Sequence, residues 1–108
     1  MSVLLCLFVV ATVIVTGPQT QNVTAGQSFM LTCNATGYPV PSIEWTLNGT
    51  SYTSRDSSVT ITVMEGLRSN TSVIEVTNAI TNDTGIYECV ATNIVNTDTQ
   101  DANVTVQG

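Results

Sequence analysis

The 108-residue chain contains no lysine and no histidine, and its only cations are Arg55 and Arg68. Eight acidic residues set the net charge at −6. A nucleic-acid surface needs clustered Lys and Arg to displace counterions, and two arginines cannot supply it. The same deficit excludes a polybasic contact with an anionic membrane. Without histidine the chain lacks the commonest general base and metal ligand. With neither His nor Lys, a serine or cysteine nucleophile has no base beside it. The carboxylates could only do acid/base work as a pair across a cleft, and here they are scattered over strands and turns. No enzyme, catalytic residue or cofactor is expected. A metal could be held only by oxygen ligands, and Asp98 and Asp101 with Asn96 are the best arrangement. They lack the dense, regularly spaced loop of a calcium site, so no metal is expected. Aromatic residues make up 6% of the chain, with one tryptophan. No stretch after residue 16 keeps a helical period, and so long helices are excluded too.

Threonine, valine, asparagine and serine fill the composition instead. The first two favour strands and the last two favour turns. At the N-terminus residues 1–16 form an apolar block ended by Gly17-Pro18. It reads as a secretory signal peptide, although its start carries no Lys or Arg and its cleavage site is poorly marked. It falls short of the ~20 residues of a spanning helix, so no membrane insertion by the mature domain is expected. A competing use of its end, Val13–Thr16, is as a first strand. An odd cysteine in a secreted protein needs explaining, and Cys6 lies in the block that would be removed. One domain of ordinary size, residues 17–108, then remains.

Alternation marks the strands. Val23 belongs to a short first strand, closed by Ala25-Gly26. The second is Ser28–Asn34, with Phe29, Leu31 and Cys33 on one face. Gly37–Pro41 is a rigid connection. Ser42–Leu47 points Ile43, Trp45 and Leu47 inward, and Asn48-Gly49 is a tight-turn signal. A short edge strand is placed at Tyr52–Ser54. Val59–Val63, Thr71–Val76, Gly85–Thr92 and Asp98–Val106 complete the set. Seven or so short strands punctuated by turns describe an all-β antiparallel sandwich.

Asp83-Thr84-Gly85-Ile86-Tyr87-Glu88-Cys89 carries the most specific signal. Gly85 allows a tight turn, Tyr87 shares a sheet face with Cys89, and Asp83 can bond within the corner. With Cys33 and Trp45 upstream, this Cys…Trp…Tyr-x-Cys pattern resembles the immunoglobulin superfamily. Gly26–Cys33, Ala35–Pro41 and Cys89–Asn93 are similar in wording to its I-set (intermediate) subclass, and the likeness covers roughly residues 17–107. It implies sheets A-B-E-D and C-F-G joined by one disulfide, Cys33–Cys89, with Trp45 packed on the bridge and Tyr87 as the tyrosine corner. Such a crosslink would contribute about 4 kcal/mol by loop-closure entropy. Asn96 stands where the family usually has Gly, and Asn tolerates the positive φ that such a turn requires. Asp83 is expected to pair with Arg55 or Arg68 within the molecule.

Asn-x-Ser/Thr occurs at Asn22, Asn34, Asn48, Asn70, Asn82 and Asn103. Nine asparagines and 28 Ser plus Thr in 108 residues give about two by chance. All six are N-glycosylation candidates, and strand parity forces none of them inward. Glycans at Asn34, Asn70 and Asn103 would cover both sheet faces. Contact would then fall to the loop end holding Tyr38, Val40, Ile94 and Val95, an uncharged apolar cluster. The alternative use of that cluster is to cap the core.

Together these features describe an extracellular recognition module, secreted or at the cell surface, that binds a protein partner non-covalently, homophilically or heterophilically. The resemblance implies the first domain of a cell adhesion molecule or receptor. The alternative is a structural spacer of a secreted or matrix protein with no binding role of its own.

Overall fold

The computed structural model describes residues 8–108, and Cys6 and the start of the expected signal peptide lie outside that range. Among the described residues nine strands form two sheets: β1 (Val10–Thr16), β2 (Gln21–Thr24), β3 (Phe29–Tyr38), β4 (Ser42–Leu47), β5 (Thr50–Ser51), β6 (Val59–Glu65), β7 (Ser69–Val76), β8 (Gly85–Thr92) and β9 (Thr97–Gln107). One sheet has the order β1-β3-β7-β6 and the other β2-β9-β8-β4-β5. All pairings are antiparallel except β2 with β9.

Alternation builds the core. Along β3, Phe29, Leu31, Cys33 and Ala35 are buried while their neighbours face out. β7 sets Ile74 and Val76 opposite Leu31 and Phe29. From the second sheet come Trp45, Tyr87, Cys89, Ala91, Val104 and Val106. Full burial of a Leu, Ile or Val side chain contributes about 1.5–3 kcal/mol, so these two facing rows hold the layers together. Between them the Cys33–Cys89 disulfide crosses from β3 to β8, with Cα atoms 6.4 Å apart. Trp45 lies directly across β4–β8 from Cys89, and its indole N–H donates to Ser72 Oγ at 2.8 Å. The expected bridge and strand faces are thus present.

Four expectations are revised. The strand around Val23 does not join the A-B-E-D sheet, because β2 runs parallel to β9 in the other one. The outer position beside β3 is filled by β1, so Val10–Thr16, within the apolar block, is built into the sandwich. Its Ile14 and Thr12 are buried. The short edge strand is Thr50–Ser51 rather than Tyr52–Ser54, since Tyr52 turns toward the core and stacks edge-on against Tyr87 at 5.6 Å. Gly85 does not take a positive φ, and what it provides is room for two neighbouring side chains. A Cβ there would meet the Asn48 amide at 2.7 Å and Leu47 Cδ1 at 2.8 Å. The positive φ values of this region belong to the Asn48-Gly49 turn, at 51° and 83°.

Candidate interaction surface

The connection after β3 and the turn between β8 and β9 meet at one end of the sandwich, and one side chain organises both. Asn93 donates its amide to Val10 O at 2.8 Å and to Pro39 O at 3.1 Å. Its Oδ1 accepts the N–H groups of Val95 and Asn96 at 2.9 and 3.2 Å. With those backbone groups satisfied, the side chains of the turn are free to face solvent. Ile94 is 78% exposed, Val95 46% and Tyr38 43%, whereas Val40 is half-buried. None of these four belongs to the core cluster. The Tyr38–Pro39 peptide is cis.

The cluster is not free of charge. The Arg68 guanidinium lies over the Tyr38 ring, 5.4 Å from its centroid, a cation–π geometry. Among the described residues Arg68 makes no ion pair. Sequence distance hid this contact, because Arg68 precedes β7 and reaches Tyr38 only through the sheet. Exposed Phe8, Val9 and Val10 also lead into this end, where Val10 pairs with Tyr38. Assigning the apolar block to a leader concealed them.

Asn96 does not adopt a positive φ. Its side chain acts as a strand partner, accepting the Thr12 N–H and donating to the Thr12 carbonyl. Asp98 similarly accepts the Ile14 N–H at 2.8 Å. Two members of the considered calcium set are therefore committed to β1, and no metal-holding cluster of three His, Cys, Asp or Glu occurs among the described residues.

At the opposite end the tyrosine corner is formed. The Tyr87 hydroxyl donates to Asp83 O at 2.6 Å. Asp83, 2% exposed, takes a two-pronged contact from Arg55, with Nε on Oδ1 at 2.7 Å and Nη2 on Oδ2 at 3.0 Å. The Ile80 N–H adds a bond to Oδ2. Hydrogen bonding to Asp83 holds the Arg55 guanidinium above its ordinary pKa. Asp56 is held below the usual carboxylate range, first by the Ser58 backbone N–H and then by Arg55. Burial pushes the Tyr52 and Tyr87 phenols up.

The sequon asparagines separate by position. Asn22, Asn48, Asn82 and Asn103 are exposed. Asn34 is half-buried on the outer face of its sheet, with its amide donated to Thr71 Oγ1. Asn70 faces inward on β7, 5% exposed, against the expectation that none is forced inward. The ladder places it in the inward phase shared with Ser72, Ile74 and Val76.

Known proteins place this architecture. Peroxidasin homolog pxn-2 of Caenorhabditis elegans is 32% identical over 101 residues, 87% of this chain and 7% of its own length. Human hemicentin-1 is 33% identical, over 84% of this chain and 2% of its own length. Human Roundabout homolog 2 is 34% identical, over 74% and 5%. The chain thus spans only a small part of each of these curated relatives. Among solved structures, titin domains Z1Z2 in complex with telethonin match with a TM-score of 0.82 and 27% identity, over 94% of this chain and 49% of that one. The tandem Ig repeats of Dlar give 0.75 and 32%, over 88% and 47%. The immunoglobulin I-set domain family itself matches residues 12–106. With that match, the disulfide between facing sheets, the tryptophan beside it and the tyrosine corner, the chain belongs to the immunoglobulin I-set family.

Proposed function

We propose that this domain is an extracellular recognition module that docks a protein partner through the end formed by Tyr38, Val40, Ile94 and Val95. The observation that carries the reading is the exposure of Ile94, on a turn whose backbone is already satisfied by Asn93, beside the exposed Tyr38 at the end of β3. Large apolar side chains held rigidly in water favour burial against a partner. Tyr38 supplies an aromatic anchor of the type that dominates interfaces, and Arg68 suits a carboxylate beside it. An oxidising environment is supported by the disulfide and the sequons. Entry into the secretory path would use the N-terminal apolar block. Relatives such as Roundabout homolog 2 and hemicentin-1 support a place in an adhesion molecule or receptor, and the titin–telethonin complex is an example of this fold with a bound protein.

The test is to screen the domain as bait against an array of extracellular proteins and against itself. For the partner found, Tyr38→Ala and Ile94→Asp should each lower affinity tenfold or more, about 1.4 kcal/mol, with the melting temperature nearly unchanged. Unchanged affinity in both variants would place the contact elsewhere. A chain that binds neither itself nor any array member would favour the spacer role.

A further inference from the structure

The atom that takes an N-glycan is the asparagine Nδ2, and the structure uses that atom differently at different sequons. At Asn70 it is committed: buried Nδ2 donates to Pro41 O at 3.0 Å, which ties β7 to the start of β4. Asn70 Oδ1 is buried as well and has no hydrogen-bond partner. Ser72, the hydroxyl residue of the same sequon, is 1% exposed and accepts the Trp45 indole N–H. Each of the two side chains that define this sequon therefore has a separate structural task inside the sandwich. Asn22, Asn48, Asn82 and Asn103 are the reverse. All four are exposed, and among the described residues the Nδ2 of none donates to a protein atom. Asn48 uses only its Oδ1, which accepts the Ile86 N–H.

We infer that the domain carries N-glycans at Asn22, Asn48, Asn82 and Asn103, and that the folded domain has none at Asn70, where the asparagine and the hydroxyl of its sequon are both taken up in buried hydrogen bonds. The inference rests on the reading that the chain enters the secretory pathway. In the transfer, an Nδ2–H bond and the sugar C1–O bond of a lipid-pyrophosphate-linked oligosaccharide break. The Nδ2–C1 bond forms, the proton passes to a base of the transferase, and the lipid pyrophosphate leaves. The acceptor is modified while still extended, so a sugar on Asn70 would later have to enter the interior. A buried polar group of that bulk cannot be accommodated in a packed layer. Chains modified there fail to close β7 onto β4.

The four acceptors also share a location. Asn103 pairs across β8–β9 with Ile86, which is bonded to Asn48, and Asn22 lies on β2 beside Thr105. Asn82 sits in the 3-10 turn Thr81–Asp83, just before β8. Glycans there screen the Gly85 end and the adjoining outer face of β2, β9 and β8. They leave the Tyr38–Ile94 end uncovered.

The full chain would be expressed in cultured animal cells in two forms, with its own N-terminus and behind a strong added secretion leader. Enzymatic deglycosylation in heavy-oxygen water marks each formerly occupied asparagine as labelled aspartate, read by peptide mass spectrometry. In the folded, secreted monomer we expect label at Asn22, Asn48, Asn82 and Asn103 and none at Asn70, with any Asn70 label confined to retained, unfolded chains. Label at Asn70 in the folded monomer overturns the inference. Absence of label at any of the four, in the form with the added leader, overturns it as well. If only the form with its own N-terminus is unlabelled, the secretory reading of the apolar block fails and the sorting of sequons stands.

Discussion

Asp83 shows how one buried group is held. Its carboxylate is 2% exposed and depends on the Arg55 fork and the Ile80 N–H, while its carbonyl anchors the Tyr87 hydroxyl. A surface ion pair contributes about 0–1 kcal/mol, but breaking a buried one leaves an uncompensated charge and costs about 3–5 kcal/mol. Arg55 is partly exposed, and Ile80 remains when it is removed. Arg55→Met should therefore lower stability by about 2–3 kcal/mol in urea unfolding. The double variant Arg55→Met/Asp83→Asn should recover part of that loss, since no charge is then stranded. An equal or larger loss in the double variant would show that the fork acts by packing and not by charge. The sequence offered both Arg55 and Arg68 as partners, and parity could not choose between them. The loop from β5 to β6 brings Arg55 to the corner, while the turn between β6 and β7 holds Arg68 at the other end.

β1 is the element on which sequence and structure diverge most. A run of apolar residues can be a leader, a helix segment or a buried strand, and periodicity does not separate these uses. In the fold it is an edge strand, antiparallel to β3, with Ile14 in the core and two of its backbone N–H groups taken by Asn96 and Asp98. Those two partners lie 84 residues away along the chain. Deleting residues 1–9 should leave stability within about 0.5 kcal/mol, because β1 begins at Val10 and the described residues before it, Phe8 and Val9, are exposed. Deleting residues 1–16 removes Ile14, a deletion of the class that costs about 2–5 kcal/mol, and uncovers the edge of β3. Denaturant midpoints of the two truncations check this. Equal midpoints would show that β1 is dispensable and free to leave with a signal peptide.

For the whole molecule the ionisation balance sets the response to pH. Burial raises the Tyr87 phenol above its ordinary value, so the fold favours the neutral ring. An unfolded tyrosine ionises at about 10. Above that pH the unfolded chain has released a proton that the folded chain keeps, so stability is unaffected by this group below about pH 10 and falls above it. The slope approaches about 1.4 kcal/mol per pH unit. Tyr52 acts in the same direction. Denaturant unfolding from pH 8 to 12 should show this fall, and Tyr87→Phe, though less stable at pH 8, should show a shallower one. A parallel decline in the variant would assign the alkaline loss to other groups.

The sequence by itself determined the class of fold, the strand faces and the covalent pin. The class and the faces follow from period-two alternation, a local property of the chain, and the pin from the resemblance carried by cysteine, tryptophan and tyrosine at their offsets. Ser42–Leu47 and Gly85–Thr92 have the boundaries their alternation predicts. Tertiary structure alone decided what the inward Asn70 is bonded to, which arginine meets Asp83, and where β1 and β2 lie. Asn70 shows the reason: parity with Ile74 and Val76 puts it on the inward face of β7, and only the carbonyl of Pro41, 29 residues earlier, gives its amide a partner there. Local pattern fixes which side chains share a face, whereas partners supplied by distant strands decide what each polar group on that face is bonded to.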